Sequence, residues 1–135
     1  VDACLLDWRD HPDRMSRTDS RFGLDRFFAL KVEHVAPLLR GRGRDVAVIG
    51  GGRHGKRWVR ALAERDVPVP HLLDTNPARQ GRTIHGARVL PATDLDAVRG
   101  SFLLVALGRP GAREAMRATL TAAGFQEEQE FLCVQ

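Results

Sequence analysis

The chain has 135 residues and a mass of 15.0 kDa, with 43% hydrophobic and 28% charged residues. That describes one globular domain of ordinary size and excludes a disordered tail. The longest apolar run, Phe102 to Leu107, is six residues, against the roughly 18 that a membrane helix needs. Two cysteines, Cys4 and Cys133, make neither a disulfide scaffold nor a metal cluster. The chain starts at Val1 with no Met nearby and no secretory signal pattern. The expectations are therefore a piece of a longer chain and a cytoplasmic setting.

A pI near 10 invites a nucleic-acid reading. The charge distribution argues against it. Of 21 basic residues only Lys31 and Lys56 are lysines, and the net charge is just +4. Acids are interleaved throughout, and the one dense basic stretch, Arg40-Gly-Arg-Gly-Arg44, lies among glycines. A phosphate-tracking face wants concentrated cations with aromatics between them. The high pI follows from the intrinsic basicity of arginine, and no nucleic-acid partner is expected.

In chain order, residues 8–19 are polar and aperiodic, and a helix is predicted from Ser20 to about Leu39, capped by Ser20 or Asp19. Its apolar face is Leu24, Phe27, Phe28, Val32, Val35 and Leu38, with Pro37 set to bend or end it. After the Arg/Gly linker the pattern alternates. Strands are predicted at Asp45–Ile49 and Val69–Leu73, with a helix from His54 to about Arg65 between them. Gly81 to Leu90 reads as a hairpin turning at Gly86. A short helix at Asp94–Arg99, a central strand at Phe102–Leu107, a helix at Ala112–Ala123 stopped by Gly124 and a last strand at Glu130–Val134 complete the chain. Such alternation implies an α/β, Rossmann-like three-layer fold with a mostly parallel sheet, a small β-hairpin insertion and an N-terminal helical extension.

Gly50-Gly-Gly-Arg-His-Gly55 follows the first strand and opens a helix. This G-x-G-x-x-G spacing has a physical logic: Gly50 permits the turn, Gly52 lets backbone N–H groups approach a diphosphate, and Gly55 lets helix and strand pack closely. Gly51 lies inside the loop, and Arg53, His54 and Lys56 flank a helix start whose N–H groups attract anions. Asp74, 24 residues after Gly50, ends the second strand, where an acid accepts ribose hydroxyls and repels a 2′-phosphate. A second glycine loop, Gly108-Arg-Pro-Gly-Ala-Arg113, should reach the same sheet edge, so Arg109 and Arg113 could clamp the far end of one ligand. The alternative for that loop is plain turn chemistry, with Arg113 pairing with Glu114 or with neighbouring Asp residues. No catalytic or metal site is expected: the five histidines lack ligand spacing, and Cys133 reads as core.

These residues also carry resemblances. Val48-Ile-Gly-Gly-Gly-Arg-His-Gly-Lys56, Leu73-Asp-Thr-Asn-Pro77, Gly81-Arg-Thr-Ile-His-Gly86 and Val89-Leu-Pro91 resemble the UDP-sugar-binding N-terminal domain of bacterial sugar acyltransferases. More closely, Gly81-Arg-Thr-Ile-His-Gly86, Val105-Ala-Leu-Gly108, Gly111-Ala-Arg113 and Glu130-Phe-Leu-Cys-Val134 resemble the C-terminal extension of bacterial family 2 glycosyltransferases. That resemblance implies residues 1–19 as the tail of an upstream GT-A catalytic domain acting as a partner in cis. Residues 20–44 would be a linker and 45–135 a Rossmann-like nucleotide-binding module. Asp94-Leu-Asp96 lies in the wrong context for the family's metal motif. The expected ligand is then a UDP-sugar, with NAD second. The alternatives are a ligand-free docking module of the same enzyme or a fragment of an NAD-dependent oxidoreductase in which Asp74 disfavours NADP.

Overall fold

The computed structural model describes residues 12–19 and 23–134. The chain divides into two compact units, residues 1–31 and 32–135. In the first, a one-turn helix α1 (Met15–Thr18) stands where the sequence showed no periodicity, and its last turn closes when Asp19 N–H donates to the Met15 carbonyl at 2.9 Å. Helix α2 spans Leu24–Gly41, beginning later than expected, and the alternative cap Ser20 lies outside the described residues. Pro37 does not end α2. Val32, Ala36 and Leu39 form its buried stripe, at the four- and three-residue spacing that stacks side chains on one helix face.

The second unit is built on a six-stranded sheet. Its strands are β1 (Val46–Ile49), β2 (His71–Asp74), β3 (Thr83–Ile84), β4 (Ala87–Pro91), β5 (Phe102–Val105) and β6 (Phe131–Cys133). The order across the sheet is β3-β4-β2-β1-β5-β6, parallel everywhere except at the β3–β4 hairpin. That hairpin turns on His85 and Gly86, with φ of 48° and 89°, the pair of positive values a two-residue type I′ turn requires. Parallel strands covered on both faces read as unbroken apolar runs, and Val46-Ala-Val-Ile49 and Phe102-Leu-Leu-Val105 are buried at every position.

Two helices sheath the sheet: α3 (Arg53–Ala63) follows β1, and α4 (Ala112–Ala122) follows β5. One face of the sheet presents Ala47, Ile49, Leu73, Leu103 and Val105, which pack with Val98, Leu120, Phe125 and Phe131. The alternate side chains point to the other face, where α3 lies close over Val48 and buries Trp58, Val59 and Leu62. The predicted short helix at Asp94–Arg99 is a single 3-10 turn, Asp96–Val98, that inserts Val98 into the core. The fold is thus α/β and Rossmann-like, as expected.

The predicted Arg/Gly linker is not a bare tether. Arg42 donates to the carbonyls of Glu128 at 2.6 Å and Gln129 at 3.1 Å, and its guanidinium lies 4.4 Å from the centroid of the Phe102 ring. On the edge strand β6, Cys133 is half-buried. Burial pushes its thiol above the ordinary cysteine range, and Arg117 only partly opposes this.

Gly55 sits so close to the loop that a methyl group there would run into the Gly50 carbonyl, whereas one at Gly52 meets nothing within 4 Å. Gly55→Ala should therefore cost about 1–3 kcal/mol and Gly52→Ala less than about 0.5 kcal/mol, as read by thermal unfolding. The raised thiol pKa predicts that Cys133, in a Cys4→Ser background, alkylates more slowly at pH 8 than the same thiol in urea-unfolded chain, because less of it is thiolate.

Candidate functional site

The sheet order reverses between β1 and β5: from β1 the chain moves outward through β2 and β4, and from β5 outward through β6 in the opposite direction. In open parallel sheets ligands bind in the crevice beyond the carboxyl ends of such a pair. Both glycine loops leave the sheet there. Gly50 N–H donates to the Leu73 carbonyl at 2.8 Å, and Ala106 N–H to the Ile49 carbonyl at 2.9 Å, so the two loops start from hydrogen-bonded neighbours.

Gly50 has φ +112°, and a side chain there would strike Leu107 and the Ala106 carbonyl. Only glycine makes this exit from β1. The loop then enters α3 with Gly52 as its N-cap, carrying no side-chain cap. The N–H groups of Gly51, Gly52, Arg53, His54 and Gly55 meet no acceptor among the described residues. Five donors without an acceptor and the positive end of a helix dipole therefore gather at the start of α3, around an exposed, side-chain-free Gly52.

Asp74 ends β2 as expected, but its setting differs from the one expected. It is buried at 6% exposure. Its Oδ1 accepts the Asn76 N–H at 3.0 Å, and its Oδ2 takes Arg79 Nη1 at 2.8 Å. The same Nη1 also donates to the Gly51 carbonyl at 3.1 Å. The Asp74 carboxylate fills the place a Gly51 side chain would occupy, so Gly51 must be glycine for the two to coexist. Arg79 is held in turn by its loop, where Asn76 accepts Ala78 N–H through Oδ1 and Arg79 N–H through its carbonyl. Arg79 escaped the sequence reading because its partners lie five and 28 residues away. The available signal was an arginine one turn beyond an acid in an Asx-type loop.

The second loop completes the crevice. His54 and residues Leu107 to Gly111, with Arg113 and Glu114, line an open cleft of about 590 Å³. Gly111 caps α4 at φ +75°. Arg113 pairs with Glu114 at 3.1 Å, as the turn-chemistry alternative held. A backbone hydrogen bond, and then Arg113, hold the Glu114 carboxyl below its usual range. His54 and the exposed Arg109 have no ion-pair or side-chain hydrogen-bond partner among the described residues. Arg53 and Lys56 stand on α3 outside the cleft wall. Gly50 to Gly55, Asp74, Gly108 and Arg109 therefore share one sheet edge, with Arg113 at its margin. No cluster of histidine, cysteine or acidic residues suited to a metal ion occurs among the described residues, nor does a helix long and apolar enough to cross a membrane.

No protein-family model matches the chain, and no curated protein matches it. Similar solved structures exist. A crystal structure of RSP, described as a Rex-family repressor, superposes with a TM-score of 0.56 at 15% identity. RSP in complex with beta-NAD+ and operator DNA gives 0.55 at 14%, and RSP in complex with beta-NADH gives 0.54 at 15%. Each superposition covers 76% of this chain but only 51%, 55% and 61% of the respective neighbour. The chain thus spans little more than half of the proteins it resembles. At this identity the likeness establishes a Rossmann-like fold.

Proposed function

We propose that residues 45–135 form a dinucleotide-binding module for an NAD-type ligand. The fan of five N–H groups at the start of α3, at the point where the sheet order reverses, carries the reading. The diphosphate would rest on Gly51 to Gly55, one nucleoside would extend over the end of β2 toward Asp74 and Arg79, and the other would enter the cleft between His54 and Arg109. Structures of RSP with beta-NAD+ and with beta-NADH support this ligand class. The three neighbours are repressors, so the glycosyltransferase resemblance, the GT-A partner and the UDP-sugar draw no support from them. Nor does the expectation that nucleic acid is not a partner, since one neighbour holds operator DNA.

Calorimetric titration tests the reading. NAD+ or NADH should bind with a Kd below about 1 mM, and Gly52→Asp should weaken binding at least about tenfold by setting a carboxylate against the diphosphate. Aspartate is a favourable N-cap, so that variant keeps α3. Tighter binding of UDP-glucose than of NADH would restore the nucleotide-sugar reading. No heat from any dinucleotide at millimolar concentration would remove the proposal.

A further inference from the structure

We infer that Arg79 makes this site accept a 2′-phosphorylated dinucleotide, the NADP type, alongside the unphosphorylated one. The inference rests on the dinucleotide reading above and reverses the selectivity that Asp74 alone suggests.

An acid at the end of β2 selects the free ribose when its carboxylate is open to accept the hydroxyls, and it rejects a phosphate when its charge is unopposed. Neither condition holds here. The side chain of Asp74 is 8% exposed. One oxygen caps the Asn76 N–H, the other is held by Arg79, and the whole carboxylate lies where a Gly51 side chain would be. It acts as a floor beneath the glycine loop. Its negative charge is matched at 2.8 Å by a guanidinium, so an incoming phosphate meets a neutral pair and not a bare carboxylate.

The guanidinium has capacity left over. Arginine carries five N–H donors. Nη1 directs its two at Asp74 Oδ2 and the Gly51 carbonyl. Nε and Nη2, the lateral edge that binds two oxygens of a phosphate side by side, meet no acceptor among the described residues. The side chain is 36% exposed, four times as open as Asp74. Its backbone is fixed by the turn through Asn76, Pro77 and Gln80, and Nη1 is pinned by Asp74 and Gly51, so the guanidinium is held in place before any ligand arrives.

The test is a selectivity ratio, with Arg79→Ala and Arg79→Lys compared against the unaltered chain by calorimetry, and folding checked by thermal unfolding. The unaltered chain should bind NADPH within about tenfold of NADH. Arg79→Ala should weaken both ligands by loosening the Gly51 loop, but should weaken NADPH about ten- to a hundredfold more than NADH through the lost charge-assisted, two-point contact, and Arg79→Lys should recover part of that difference. A purely structural Arg79 would weaken both ligands alike, and that result overturns the inference. So does an unaltered chain that binds NADH but discriminates more than about a hundredfold against NADPH, which leaves the dinucleotide reading standing. Binding of neither ligand defeats both.

Discussion

The approach of α3 to the end of β1 is the constraint on which the second unit depends. There is no room for a single carbon between Gly55 and the Gly50 carbonyl. That contact sets where α3 starts, and therefore where its unpaired N–H groups point. It also lowers Trp58, Val59 and Leu62 onto the sheet. Packing and binding geometry share one origin: were the helix held further off, the core on that face would open and the N–H fan would turn away from the crevice. The positive φ of Gly50 serves the same purpose from the strand side, and its missing side chain leaves room for Leu107 and the Ala106 carbonyl.

A second layer of constraint comes from below the loop. Asp74 and Arg79 tie the end of β2 to the Gly51 carbonyl, so the loop is held at its base as well as at the helix. Because a trans peptide sets its N–H opposite its C=O, fixing the Gly51 carbonyl toward Arg79 turns the Gly52 N–H away from Arg79. Preorganisation of this kind lowers the ordering cost when a ligand docks.

What was legible in the sequence and what was not divides along range. Gly50, Gly52 and Gly55, the apolar strands and the His85-Gly86 turn all announce themselves within a few residues, because backbone conformation and alternation are local properties. Asp74 was located correctly for the same reason. The occupation of its carboxylate was not legible, since it depends on Arg79 reaching back across a loop whose shape the Asn76 turn dictates. Arg42 is a similar case: among glycines it reads as a tether, yet its partners are carbonyls some 86 residues away. The helix predicted at Asp94–Arg99 closes as a single 3-10 turn, Asp96–Val98, with Leu95 and Val98 both packed against the core.

The lengths of the outer strands have a consequence for life in a crowded solution. An open sheet ends in rows of unpaired N–H and C=O groups that can recruit another chain. Here one margin is the two-residue β3 and the other the three-residue β6. Neither offers enough consecutive ladder for a foreign strand to hold in register, so the sheet can keep largely apolar interior strands while showing its neighbours only stubs.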